Sequence, residues 1–198
     1  ESDFLTRTRR LTFEGRRAGE GYFSPDGTRM VFQSEREPGN PFYQIYELDL
    51  TNGDTRRISP GHGKTTCAFV QSGTGNILFG STHHDPRSKE LQKEELDFRA
   101  SGQERRYSWD YDPEMEIYVF RNETGELERL TYTRGYDAEA SYSPDGEWIA
   151  FASDRDGNLE IYVMGAEGTD RITRLTYDPD WDRDPSWSPD GARIAFHS

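Results

Sequence analysis

Ala138-Glu139-Ala140-Ser141-Tyr142-Ser143-Pro144-Asp145-Gly146-Glu147-Trp148-Ile149-Ala150-Phe151-Ala152-Ser153-Asp154-Arg155-Asp156-Gly157-Asn158-Leu159-Glu160-Ile161-Tyr162 contains most of a sheet in one stretch. Ala138 to Tyr142 reads as a strand. Ser143-Pro144-Asp145-Gly146 reads as a turn: Pro presets φ, Asp bonds the backbone ahead of it and Gly accepts positive φ. Trp148 to Ser153 is then a second strand, Asp154 to Asn158 a polar hairpin loop, and Leu159 to Met164 a third strand. After Gly165-Ala166-Glu167-Gly168, Ile172 to Tyr177 reads as a fourth. A four-stranded antiparallel sheet cannot bury both faces alone, so it must stack on others like it.

The others are in the chain. Phe23-Ser24-Pro25-Asp26-Gly27 and Trp187-Ser188-Pro189-Asp190-Gly191 repeat the turn phrase, and each is followed by a short strand ending in Phe-x-Ser. Val70-Gln71-Ser72-Gly73-Thr74-Gly75, leading into Ile77-Leu78-Phe79-Gly80-Ser81, is a degenerate copy. A second phrase recurs at Arg10-Leu11-Thr12, Arg57-Ile58-Ser59, Arg129-Leu130-Thr131 and Arg174-Leu175-Thr176, at spacings of 47, 72 and 45 residues. A third, Ile-Tyr, falls at Ile45-Tyr46, Ile117-Tyr118 and Ile161-Tyr162. Three phrases in one fixed order, with a period near 45 and four strand signals per period, mark a propeller blade.

The expected fold is all-β: a β-propeller of four-stranded antiparallel blades, with three complete blades and part of a fourth. The blades run approximately over 10–57, 58–130, 131–175 and 176–198, in one domain spanning 1–198. One outer strand, at Arg10-Leu11-Thr12, would precede them. An open array exposes strand edges, which predicts either a longer polypeptide or edges covered by other chains.

Composition agrees and excludes some partners. The chain has 198 residues, 32% of them hydrophobic, 31% charged and 13% aromatic, with 19 Gly and 10 Pro, a profile of many turns and short strands. A formal net charge of −13 repels phosphate backbones and anionic membranes, so nucleic acid and membrane insertion are not expected. The same charge also serves simply to keep an exported protein soluble. No apolar run is long enough to cross a bilayer, and no signal-peptide pattern is present. A mature exported protein reads this way, as does a cytosolic one. The single cysteine, Cys67, has no zinc-ligand spacing around it and reads as a small buried thiol.

These phrases resemble the TolB-like propeller repeat, from about Arg9 to Ser198, and the third copy carries every part of it, including Asp156-Gly157-Asn158-Leu159-Glu160-Ile161-Tyr162. The resemblance implies an exported, often periplasmic bacterial protein that acts through protein contacts. Some related propellers are fused to peptidase domains. Some members carry a separate α/β domain ahead of the propeller, and nothing in this sequence matches it.

The second blade departs from the repeat. Ser81 to Ile117 spans 36 positions where Ser153 to Ile161 spans 8, so an insertion over 83–113 is predicted. Its Ser88 to Ala100 segment, rich in Lys, Glu and Leu, is predicted to be a helix. Tyr107, Trp109, Asp110 and Tyr111 follow, and they are the candidate partner-binding residues, against the alternative that they cap the blade's own core. His83 and His84 open the insertion; on a strand they would point to opposite faces, so a shared metal would need a bend. Asp178, Asp180, Asp182 and Asp184, with Asp137 and Glu139 in the matching stretch of the third blade, lie where loops enter inner strands and converge on a channel mouth. They are candidates for a Ca2+ site, although solvated turn residues look the same in sequence and the full calcium-loop spacing is absent.

No Gly-x-Ser-x-Gly elbow, P-loop or His-Glu-x-x-His is present, so no catalytic residues are assigned and no cofactor other than Ca2+ is considered. The expected function is a non-enzymatic protein-binding or scaffolding module of a bacterial envelope or exported assembly. The alternatives are the propeller portion of a polysaccharide-acting enzyme or of a propeller–peptidase fusion, and a structural subunit completed by other chains. An enzyme would place His, Arg or Lys among the carboxylates in a deep cleft; a binder would present a flatter aromatic and polar face around the insertion.

Overall fold

A computed structural model describes residues 7–105, 111–168 and 171–198. The first sheet holds β1 (Arg17–Phe23), β2 (Arg29–Glu35), β3 (Gln44–Asp49) and β4 (Thr55–Arg57). The second holds β5 (Thr65–Val70), β6 (Ile77–Ser81), β7 (Glu116–Phe120) and β8 (Leu127–Arg129), with helix α1 (Ser88–Ala100) inserted between β6 and β7. The third holds β9 (Asp137–Tyr142), β10 (Trp148–Ser153), β11 (Glu160–Gly165) and β12 (Thr173–Arg174). The fourth pairs β13 (Arg183–Trp187) with β14 (Ile194–His197). Every strand pairs antiparallel with its sequence neighbour, which gives three four-stranded blades and a two-stranded fourth sheet.

The sheets stack because their strands alternate. On β6, Ile77 and Phe79 join Val31, Ile45 and Val70 in a core between the first and second blades. Leu78, between them in sequence, joins Ile117, Ile149, Phe151 and Met164 in a core between the second and third. Period-two alternation sends successive side chains to opposite faces, and both faces of the second blade are thereby buried.

Each repeated phrase has a mechanical role. In the turn phrase, Ser143 Oγ donates to Asp145 Oδ1 at 2.5 Å, while Trp148 N donates back to Ser143 Oγ at 3.0 Å. Ser24 and Asp26, and Ser188 and Asp190, repeat this geometry. In the degenerate copy Gln71 takes over, accepting at Oε1 from Thr74 Oγ1 (2.6 Å) and Asn76 Nδ2 (2.9 Å).

The Arg-x-Thr phrase is a hook. Arg129 Nε and Arg174 Nε donate to the carbonyls of Thr131 and Thr176, each at 2.7 Å. Their Nη2 groups reach the buried carboxylates of Glu116 (2.5 Å) and Glu160 (2.6 Å). The threonine hydroxyls accept from Ile117 N and Ile161 N at 2.9 Å. Because a side chain bonds Ile161 N, the outer strand is shorter than the Ile172 to Tyr177 expected.

The expected outer strand at Arg10-Leu11-Thr12 is not formed. Arg10 Nε donates to Thr12 O at 2.6 Å and its guanidinium lies 5.2 Å from the Phe13 ring centroid, so the hook is there locally. No third strand is paired with it among the described residues, and Leu11 and Phe13 are exposed. The hook needs only neighbours in sequence, whereas a strand needs a partner.

Candidate functional site

Antiparallel order puts the loop after each second strand and the connector after each fourth strand at the same end of a blade. This connector end carries the insertion, and the Ser-Pro-Asp-Gly turns lie at the other.

Helix α1 occupies the predicted segment and is tied down by side chains. Gln92 Oε1 accepts from Gly63 N at 3.0 Å and its Nε2 donates to Gly39 O at 3.1 Å. Arg99 pairs with Glu35 at 2.8 Å and donates to Pro41 O at 3.0 Å. The helix therefore laps over loops of the first blade and the connector into the second. Of the four candidate binding residues, Tyr107, Trp109 and Asp110 lie outside the described residues. Tyr111 stacks on Tyr136 with centroids 5.4 Å apart and donates its hydroxyl to Asp154, so it ties the insertion to the third blade while staying 41% exposed.

The inner strands share a feature. Glu20, Cys67, Glu139 and Asp184 have positive φ (42°, 49°, 56° and 55°). Each falls where the pairing of its inner strand shifts register. A β-bulge at the same place in every blade re-aims one side chain per blade. All four line one cavity of about 500 Å3, with Arg17, Gln33, Tyr43, Lys64, Tyr136, Arg183 and His197 among the other walls. Each bulge residue stands three positions before the aromatic or apolar residue that opens the turn phrase: Phe23, Val70, Tyr142 and Trp187. Aligning the repeats on that phrase would have found the series.

Glu139 is a perturbed carboxyl. It is buried, accepts from Tyr136 Oη at 3.2 Å and from Asp184 N at 2.9 Å, and burial pushes its pKa up to about 7. Cys67 Sγ lies 3.5 Å from Glu20 Oε2, and burial foremost, with the Glu20 charge, pushes the thiol well above its ordinary value. The cysteine is thus part of the cavity wall rather than a core residue. The cavity's cations have partners: Arg17 pairs with Glu35 at 2.9 Å, Lys64 with Asp112 at 3.0 Å, and Arg183 donates to His197 Nδ1 at 3.1 Å.

Of the six candidate cation ligands, only Glu139 and Asp184 come together. Asp137 is buried against Arg155. Asp178 and Asp180 are exposed, and Asn158 Nδ2 holds their carbonyls at 3.0 and 2.9 Å. Asp182 is buried, with neither carboxylate oxygen hydrogen-bonded among the described residues. No group of three or more His, Cys, Asp or Glu side chains is placed to hold a metal ion among the described residues. His83 and His84 sit in a turn rather than on a strand. His83 meets His62 edge-to-face at 5.9 Å, and both His83 and His84 pack on Tyr118.

Around the cavity end stand exposed aromatics. Tyr132 (72% exposed) and Tyr177 (73%) follow the Arg-x-Thr hooks and lie over Arg129 and Arg174, and Trp181 precedes the fourth inner strand.

Comparison with known proteins agrees with this architecture. A family model described as the TolB beta propeller domain matches residues 96–198. A protein TolB homolog of Chlorobium luteolum is 31% identical over 141 residues, 71% of this chain and 25% of that protein. An uncharacterised protein of Agrobacterium fabrum is 28% identical over 166 residues, 74% of this chain and 54% of that protein. The crystal structure of TolB from Acinetobacter baumannii superposes with a TM-score of 0.65 at 22% identity, covering 93% of this chain and 38% of that one, a likeness of fold. The chain spans about half or less of the length of these relatives.

Proposed function

Since the chain belongs to the TolB β-propeller family, we propose that it is a non-enzymatic module that binds a protein partner through its connector end, in an exported assembly of a bacterial envelope. The observation that carries this reading is the grouping, at one end, of the insertion, the exposed Tyr111, Tyr132, Tyr177 and Trp181, and the mouth of the polar cavity. Aromatic side chains supply large contact area at low entropic cost, and a rigid blade array pre-organises them. The relatives named TolB support the envelope assignment, and no helix among the described residues is long and apolar enough to cross a membrane.

The test places a photo-crosslinking residue at Tyr132 or Tyr177, and as a control at Trp148 at the turn end, and exposes the chain to envelope extract of its source. A discrete adduct from the tyrosine positions alone, competed by unlabelled chain, is expected. No adduct, or equal adducts from both ends, would refute the reading.

A second reading, an enzyme acting at the cavity, is supported by Glu139. A carboxyl with a pKa of about 7 beside a phenol is poised for proton transfer near neutral pH. Turnover of a polysaccharide by the chain, lost in E139Q, would favour it over the binding reading.

A further inference from the structure

The insertion grips one charge of the cavity wall at both of its roots. Where the chain leaves β6, Thr82 Oγ1 accepts from Lys64 N and Thr82 N donates to Lys64 O, each at 3.0 Å. Where it returns, Asp112 Oδ2 pairs with Lys64 Nζ at 3.0 Å. Between these points, Gln92 of helix α1 holds the amide of Gly63, the residue before Lys64. The ion pair is withdrawn from water: the Lys64 side chain is 19% exposed and that of Asp112 is 8%. The ammonium also lies 5.3 Å from the Phe42 ring centroid.

Asp112 is itself fixed by a turn. Its Oδ1 accepts from Glu114 N at 3.1 Å and its carbonyl from Met115 N at 3.0 Å. Its sequence neighbour Tyr111 stacks on Tyr136, whose hydroxyl donates to Glu139. Two adjacent residues of the insertion thus hold cavity walls from two blades, Lys64 ahead of β5 and Tyr136 ahead of β9, and Met115, which closes the turn, is a wall as well.

The charge of the cavity depends on this grip. Glu20 and Glu139 reach it from their bulges. Of the other charged walls, Arg17 pairs with Glu35, and Arg183 stands 4.0 Å from Asp184. Lys64 precedes Cys67 by three residues, about 10 Å along a strand. A lysine stem is long and flexible enough to carry its charge most of that way.

We propose that Lys64 and Asp112 form a latch through which the insertion sets the charge of the cavity. Latched, Lys64 is neutralised by Asp112, the acids Glu20 and Glu139 dominate, and the cavity favours positively charged groups. Unlatched, the Lys64 ammonium turns onto those acids and the preference falls. A partner that engages the exposed Tyr111 pulls on the residue beside Asp112, so docking at the connector end changes what the cavity accepts. This last step rests on the binding reading above, whereas the latch rests on its own contacts.

Cys67, the single cysteine and a wall of the same cavity, is the reporter. Its reaction rate with a cationic methanethiosulfonate is divided by its rate with an anionic one, and the quotient is normalised to that of a free small thiol. The unaltered chain is expected to favour the cationic reagent about tenfold or more. D112N should lower that ratio about fivefold, and in a K64M background D112N should leave it unchanged. K64M alone should move the ratio by no more than about twofold, because the ammonium it removes is held away from the acids. The latch is overturned if the unaltered chain shows no preference, or if D112N does not change the ratio. It is also overturned if D112N lowers the ratio equally in the K64M background, since the lost Asp112 charge would then suffice. A rise in the ratio beyond about twofold in K64M alone overturns it too, by placing the ammonium already among the acids. The K64M measurement decides the matter even if D112N does not fold. Photo-crosslinking at Tyr132 and Tyr177 tests the binding reading separately, so either can fail while the other stands.

Discussion

Arg155 Nη2 donates to both carboxylate oxygens of Asp137, and the two residues are held together from different elements, the inner strand β9 and the loop after β10. Burial pushes the Asp137 carboxyl up, while the charge and hydrogen bonds of Arg155 pull it back. Truncating one partner of such a pair strands the other charge. R155A is expected to destabilise the chain by about 3–5 kcal/mol. The D137A/R155A double variant should lose less than the sum of the single changes. Urea denaturation of the four proteins measures both.

Glu139 and His83 give stability opposite dependences on pH. The folded chain holds the Glu139 carboxyl near 7, above the ordinary 4.5, so the folded state binds the proton more tightly than the unfolded state. The stabilisation this brings is complete below about pH 4.5 and is lost as pH rises through 7. E139Q should show a smaller fall in unfolding free energy between pH 5 and pH 8 than the unaltered chain does.

His83 works the other way. Burial foremost, then the neighbouring His62 and His84, lowers its pKa to about 4 from 6.5. The unfolded chain binds that proton first, so stability falls as pH drops from about 6.5 to 4. Replacing the histidine by a neutral residue, in H83N, should flatten this acid limb. Denaturant midpoints measured across pH 4 to 7 would check it, and an unchanged limb would contradict the assignment.

Two glycines of the turn phrase separate backbone strain from packing. Gly27 (φ +69°) has open space where a Cβ would stand, whereas at Gly146 (φ +77°) a Cβ would come 2.9 Å from Ser72 O of the second blade. G27A should cost about 1–2 kcal/mol, the strain of left-handed backbone alone. G146A should cost clearly more, because it also pushes the second and third blades apart and disturbs the 2.7 Å bond from Gln71 Nε2 to Gly146 O. The difference in urea midpoint between the two variants reads the interblade contribution.

Gln92 is the pin of the inserted helix. Q92A removes the acceptor of Gly63 N–H and the donor to Gly39 O, so a loss of about 1–3 kcal/mol is expected. Hydrogen exchange should speed up at the Gly63 amide more than at the Ile117 amide, whose partner is Thr131 Oγ1.

The blades were legible because their signals are local. Ser143, Asp145 and Gly146 make the turn from within five residues, and Ile77, Leu78 and Phe79 declare two buried faces by alternation. The helix at Ser88–Ala100 was legible for the same reason. The strand expected at Arg10-Leu11-Thr12 failed where locality ends: its hook forms, but a strand requires a partner that local sequence does not supply. The alternating aspartates misled in the same way. Asp178 to Asp184 look like one cluster in sequence, yet two are exposed turn residues, one is buried alone and one joins Glu139.

The sequence by itself determined the repeated four-stranded sheets, their strand order and the place of the insertion, because turn chemistry and period-two burial act between near neighbours. Only the tertiary structure decided that Glu20, Cys67, Glu139 and Asp184 share one cavity and that the Asp182 carboxylate is buried with no hydrogen-bond partner among the described residues. Those facts depend on where separate blades meet, on bulges that re-aim one side chain per inner strand and on burial created by stacking. Neither is a property of any one stretch of chain.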